Sequence, residues 1–354
     1  MTVPVDAQRI RNAWLGRISG CQLGKPVEFV SMSQGRKGLA DYLAAARALP
    51  LRDYVPLVPG SNVELAGKGS CKGHMTRSEP DDDIAYSVLA LMMLEEHGLD
   101  LSTADVARTW LKTLPVGTVF TAERAAYAKL MERADLMFQF GELPGFDLAE
   151  CADNEFNEWI GAQIRADVYG WVCPGRPELA ADLARRDAAL SHAGDGVLGA
   201  VFVAAAGAAV PVTDSLAEAV EVALSHLPSG SGAAEAVVFG RALVGEPDAV
   251  DRLHERYAEL SPVHTLNNLA LVVWALLSAE DDFSAAIGEA VSAGWDTDCN
   301  GATVGALWGL TGRSIPAHWT EPWQGRVAVV LGGVGELALE DLVDRTVAVA
   351  RRFA

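Results

Sequence analysis

Two short stretches of this chain concentrate hard oxygen ligands. Asp81, Asp82 and Asp83 stand in a row directly ahead of the helical apolar spacing that begins at Ile84. A helix N-terminus favours negative charge by only about 0.3–1 kcal/mol per group, less than three adjacent, mutually repelling carboxylates require. Taken alone, the triplet reads equally well as a solvated acidic helix start. The second stretch is Gly294-Trp-Asp296-Thr-Asp298-Cys-Asn300-Gly301. It imitates the first half of a calcium loop, but position 12 falls on Leu307, where a bidentate Glu is needed. Helical spacing has also resumed by Ala302, so a self-contained calcium loop is excluded. What remains is a partial oxygen set that needs ligands from elsewhere, and the triplet can supply them. Carboxylates without a His or Cys pair favour Mg²⁺ or Mn²⁺ over zinc. Five such groups around one cavity call for cations, and two divalent ions would neutralise most of the charge.

Elements must bring these stretches together. Apolar residues recur at three- and four-residue spacing, as in Ile84, Val88, Leu91 and Met92, or Leu266, Leu269, Val273 and Leu276. This marks amphipathic helices with one buried stripe. Asp214 and Ser215 can cap a helix running to about Leu227, and Pro177 opens another with Glu178 in its first turn. Roughly a dozen helices of ordinary length are predicted. Val327 to Leu331 alone suggests a short strand. Gly301, Gly305 and Gly309 leave a groove in which a second helix backbone can approach, holding Asp296 and Asp298 in a central cavity. Two long loops, Pro50 to Pro80 and Gly141 to Asn154, are of a length usually tied to function. No fixed-period repeat or low-complexity linker divides the chain. The expectation is a single all-α domain over residues 1–354.

Composition narrows the partners. The 354 residues carry 47 acidic and 28 basic side chains, a formal net charge of −19. Such a surface repels phosphate backbones and anionic bilayers, so neither nucleic acid nor membrane is expected as a partner. Five scattered cysteines without a CxxC read as reduced thiols of a cytoplasmic protein. Cys71 and His74 form a lone CxxH without a second pair, and His74 reads as a surface histidine. The N-terminus has no signal-peptide pattern, and the apolar run Val197 to Val212 falls short of a bilayer span. Gly67, Gly69 and Gly73 match no phosphate-binding fingerprint. His264 reads as a capping or packing group.

In this order, the two acidic clusters resemble those of the ADP-ribosylglycohydrolase family, which includes dinitrogenase reductase-activating glycohydrolase and the ADP-ribosyl-acceptor hydrolases. Gly16 to Glu28 is similar to the family's opening helix, GxxxGDxxGxxxE, and Pro80 to Ile84 stands where the family has Thr-Asp-Asp-Thr. Gly294 to Gly312 is similar to the closing Gly-Asp-Thr-Asp-Thr motif with its glycine-rich helix. Ser191 to Gly196 resembles a mid-chain segment with a substrate-lining histidine. The resemblance runs from about Arg9 to Gly312.

The resemblance implies a compact helical bundle with two Mg²⁺ ions in a central cleft. It implies metal ligands at Asp81, Asp82, Asp83, Asp296 and Asp298, and catalytic roles for Glu28 and Asp82. Substrate contacts would fall to His192 and Gly194; separately, the nine tryptophans read as core or helix-packing residues, with Trp295, beside the second acidic cluster, the one whose aromatic face suits stacking on a base. Four positions depart from the pattern: Asp81, Ile84 and Cys299 stand for family threonines, and Cys21 for the opening Asp. A thiol suits a hard cation poorly. The segment from Trp159 to His192 also resembles a bacterial subgroup set apart from the characterised protein hydrolases. The expected activity is Mg²⁺-dependent cleavage of an N-glycosidic bond, releasing ADP-ribose from a modified acceptor. A hydrolase of free nucleosides or small N-ribosides, and a catalytically silent ligand-binding protein, are the alternatives. The acceptor and the oligomeric state stay open.

Overall fold

The computed structural model describes residues 3–354 and is all-α in class. Among the described residues, sixteen α-helices and short 3-10 turns surround one small antiparallel hairpin. The hairpin pairs Arg326–Leu331 with Val334–Ala338, so the suggested strand is present together with a partner that its sequence did not announce.

The first helix, Ala7–Ala45, forms the axis. Asp6 caps it by accepting from the Gln8 N–H at 2.8 Å. Its first half is buried on every side, polar Asn12, Arg17, Ser19 and Gln22 included. The Thr297–Gly309 helix runs antiparallel to it and is buried along all thirteen residues. Small residues permit this contact. A Cβ on Gly16 would overlap the Gly305 carbonyl, one on Gly20 the Gly301 carbonyl, and one on Gly24 the Thr297 carbonyl. The four-residue glycine spacings of the two helices therefore interlock.

Other helices cover this pair with one face only. Leu339–Phe353 buries Leu342, Thr346, Val347 and Phe353 while Arg351 and Arg352 stay in solvent. Trp14 Nε1 ties it to the axis by donating to Thr346 Oγ1 at 3.0 Å. Pro177 opens the Pro177–Ala188 helix, and Ser215 caps Leu216–Leu224 by accepting from Glu218 N at 3.1 Å. Residues 194–212 form a 19-residue helical stretch, long and apolar enough to cross a bilayer, contrary to the length read from its apolar run alone. Most of its residues are buried within this fold, as expected of a core helix.

The 50–80 loop carries the short helix Val63–Ala66 and is pinned to the axis by one side chain. Gln22 Oε1 accepts from Ser70 Oγ at 2.7 Å and from Glu79 N at 2.9 Å, while its Nε2 donates to Glu79 O at 3.0 Å. Ser78 also joins the hairpin, donating from its N to Arg326 O at 2.8 Å. These bonds deliver the aspartate triplet against the opening helix.

Candidate active site

The triplet occupies the start of the Asp82–His97 helix, with Asp81 as its cap. Asp81 Oδ1 accepts from Asp83 N at 3.0 Å, and its Oδ2 takes the Lys25 ammonium at 2.6 Å. Lys25 and Glu28 lie one turn apart on the axis helix, just past its contact with Thr297. Thr297 Oγ1 donates to Gly24 O at 2.9 Å and locks the second acidic cluster against that turn. Residues 28, 81, 82, 296 and 298, far apart in sequence, thereby share one cavity of about 760 Å³. That volume lies within the usual range for small-molecule sites.

Three groups of donor atoms lie within 4.8 Å of one another: Glu28, Asp296 and Asp298; Asp83, Asp298 and Cys299; and Cys21, Asp81 and Asp83. Asp83 Oδ2, Asp296 Oδ1 and Asp298 Oδ1 are buried without a hydrogen-bond partner. Buried polar atoms are nearly always satisfied, so the orphaned oxygens of Asp296 and Asp298, both lining the cavity, fit a cation ligand set. Around Glu28, Asp296 and Asp298 all the donors are hard oxygens, which suits Mg²⁺ or Mn²⁺.

Electrostatics agree with that arrangement. Burial, reinforced by Asp298, Asp81 and Asp82, pushes Glu28 well above the usual carboxylate range. Burial together with Asp81 and Asp298 does the same to Asp82, and burial with Asp298 and Glu28 does so to Asp296. Asp298 is raised by burial and Asp81 to about 6. Asp81 is the exception. Burial pushes it up, but Lys25 and the Asp83 N–H outweigh that and hold it below its ordinary value.

Asp83 points away from the open cavity. Arg17 Nη2 holds its Oδ1 at 3.1 Å, and Arg17 Nη1 reaches Asp167 Oδ2 at 2.6 Å, with all three side chains fully buried. Arg17 also donates to the carbonyls of Asp83 and Ile164.

Three expected ligand-facing residues are not brought to the cavity. His192 lies behind its wall, with Nδ1 against Ser191 Oγ at 2.8 Å and Nε2 3.8 Å from Glu123 Oε1. Burial, then Arg165, lowers its pKa well below the usual value and keeps it neutral. Gly194, at φ +51°, starts the Gly194–Ala209 helix against the Glu158 carboxylate. Trp295 stacks on His254 with ring centroids 4.1 Å apart and packs edge-on against Tyr257. Trp295 is buried and does not line the cavity, so it offers no open face to a base there. Of the positions that depart from the family pattern, Cys299 lines the cavity and Ile84 is core. His264 caps the Thr265–Ser278 helix, accepting from Leu266 N at 3.2 Å.

The sequence reading missed several wall residues. Lys25 could have been found, since it lies four residues after Cys21 and three before Glu28 on one helix face. Glu123 enters from the Thr121–Arg133 helix, held by Arg165 Nη1 at 2.6 Å; Arg165 Nε in turn meets Asp187 Oδ1 at 3.0 Å. No local pattern signals it. Trp159 lines the cavity and packs edge-on against Phe156, 4.7 Å between centroids. Its backbone bridges to His264, and Ile160 N donates to Val263 O at 2.9 Å, joining two distant segments into one wall. Asn268 Oδ1 accepts from Asn300 Nδ2 at 2.8 Å and braces the second acidic cluster from behind.

The ADP-ribosylglycohydrolase family model matches residues 2–352, and the chain belongs to that family. Family membership assigns it to glycosidases acting on ADP-ribose-type substrates. A solved structure described as an ADP-ribosylglycohydrolase-related protein complex is similar over 97% of this chain and 98% of its own, with a TM-score of 0.52 and 19% identity. At that identity the likeness speaks to fold alone. A search of curated proteins finds no match.

Proposed function

We propose that the protein is a Mg²⁺-dependent N-glycosyl hydrolase that releases ADP-ribose from a modified acceptor. One observation carries this reading: Glu28, Asp82, Asp296 and Asp298, drawn from both ends of the chain, converge on one cavity with orphaned carboxylate oxygens among them. Glu28, Asp296 and Asp298 would hold Mg²⁺ or Mn²⁺, with Asp82 beside them. A bound divalent ion there would orient and polarise the ribose hydroxyls.

The remaining chemistry belongs to the chain. Hydrolysis breaks the bond from C1″ to the acceptor nitrogen and forms one from C1″ to water; the proton water loses ends on that nitrogen. Burial and the like charges of Asp298, Asp81 and Asp82 push Glu28 well above the usual carboxylate range, which suits it to relay that proton where the ion does not saturate it. Asp82, at the helix start, faces the positive charge that develops on the ring in an oxocarbenium-like transition state. Trp159, with Phe120 and Ile160 nearby on the wall, offers the apolar surface for a base that Trp295 does not.

Cleft residues contributed by both chain ends support reading 1–354 as one domain, and five buried, unpaired thiols support a cytoplasmic setting. The test is hydrolysis of ADP-ribosyl-arginine, ADP-ribosyl-serine and a nucleoside panel by the wild type, Asp82→Ala and Asp298→Ala. We expect release of ADP-ribose from one ADP-ribosylated substrate, reduced at least about 100-fold in both variants, on the scale of losing a proton-transfer or electrostatic group. Turnover of nucleosides alone would replace the substrate class, and near-normal turnover in both variants would overturn the assignment.

A further inference from the structure

We infer that this chain carries a single divalent cation, at Glu28, Asp296 and Asp298, and that the Lys25 ammonium stands permanently where a second ion would otherwise balance the cleft. The inference rests on the metal-dependent reading above and goes beyond it in assigning stoichiometry to one residue of this chain.

The three donor groups are not equivalent. Around Glu28, Asp296 and Asp298, two carboxylate oxygens are buried without a partner and no basic side chain is hydrogen-bonded to the set. Around Cys21, Asp81 and Asp83 only one carboxylate oxygen, Asp83 Oδ2, lacks a partner, and Asp83 does not line the open cavity. Asp81 Oδ1 is committed to the Asp83 N–H and Oδ2 to Lys25, while Asp83 Oδ1 is committed to Arg17. Cys21 contributes only a soft sulfur, poorly matched to a hard cation. The group formed by Asp83, Asp298 and Cys299 again holds a thiol, and it draws on Asp298, which the first set already uses.

Lys25 is built to stay. Its side chain is 22% exposed, its Nζ lies 2.6 Å from Oδ2 of Asp81, whose side chain is 3% exposed, and it rises from the axis helix next to the Gly24–Thr297 contact. Removing a buried partner from such a pair leaves an uncompensated charge, so a mobile divalent ion gains little by displacing it. A tethered cation lacks vacant coordination positions, so this half of the cleft serves charge balance and the other half coordinates.

Native mass spectrometry and titration calorimetry with Mg²⁺, and electron paramagnetic resonance with Mn²⁺, read the stoichiometry directly. The wild type should bind one ion per chain and give an uncoupled six-line Mn²⁺ spectrum. Asp298→Ala should bind none while keeping its circular dichroism. Lys25→Ala should bind two ions and show Mn²⁺–Mn²⁺ coupling; Lys25→Gln, which keeps the hydrogen bond without the charge, supplies the same test if the alanine variant does not fold. Two ions in the wild type, or one in folded charge-free variants, would overturn the role given to Lys25 while leaving a metal site in place. No ion in the wild type would instead overturn the metal-dependent reading itself.

Discussion

Gly20 and Gly301 meet backbone to backbone, and a methyl group on either would collide with the other's carbonyl. The whole cleft depends on this contact, because it sets Lys25 and Glu28 one turn from Thr297 and Asp298. Gly20→Val should cost at least about 3 kcal/mol, the upper end of overpacking, since a helical carbonyl cannot swing aside as a side chain can. Urea unfolding measures the loss. An unchanged midpoint would mean that the helices cross elsewhere.

Arg17→Met removes the only cation hydrogen-bonded to Asp83 and Asp167 among the described residues. Breaking a buried ion pair from one side costs about 3–5 kcal/mol. Burial, despite Arg17, already raises Asp167 to about 6, so the variant should regain part of the loss in acid as both carboxyls become protonated. Thermal melts at pH 5 and pH 7.5 would show the loss concentrated at the higher pH. A loss of the same size at both would contradict an electrostatic role.

The cleft should couple metal and protons in a defined direction. Asp298 titrates near 6 in the fold, raised by burial and Asp81, against about 4 when unfolded. Between those values the metal-free folded protein keeps a proton that the unfolded chain has lost. The Asp298 contribution to stability therefore falls as pH rises through that window, then levels off. A divalent ion must displace such protons, so the rise in Tm from Mg²⁺ over EDTA should be larger at pH 7.5 than at pH 5. Saturation at 100-fold above Kd would add about 2.7 kcal/mol. Equal shifts at both pH values would argue against carboxylate ligation.

Trp159 and Trp295 should separate cleanly. Trp159→Ala is expected to raise KM severalfold with little change in Tm, as expected of a residue lining the cavity. Trp295→Ala should cost about 3–5 kcal/mol through lost packing on His254 and Tyr257, while KM stays near wild type. Steady-state kinetics and melting curves on both variants decide it, and the reverse pattern would move the base site to the other face.

Much of this arrangement was legible in the residue order. The Asp triplet and the Asp296–Asp298 pair carry a charge density that helix capping does not need, and the glycine spacings at 16, 20 and 24 and at 301, 305 and 309 belong to helices that touch. Helix starts at Pro177 and Ser215 were local signals and held. The second hairpin strand, Val334–Ala338, was not legible because its residues are mostly exposed and alternate weakly. His192 and Trp295 were placed by neighbourhood in sequence, whereas their orientation is decided by Glu123, Arg165, His254 and Tyr257, all distant along the chain. Glu123 and Trp159 escaped notice for the same reason: a wall assembled from tertiary contacts leaves no periodic trace.

The axis helix leaves the ribosome well before the helix it packs on, and its glycine stripe waits for a partner nearly three hundred residues downstream. Until residues 297–309 leave the ribosome, that stripe lies open and Glu28 faces no aspartate from the far end of the chain. On the proposed reading, metal affinity can arise only once the chain has been translated through Asp298. Ion uptake thus reports completed assembly, and a product truncated before residue 296 would retain the first carboxylates without a centre to fill.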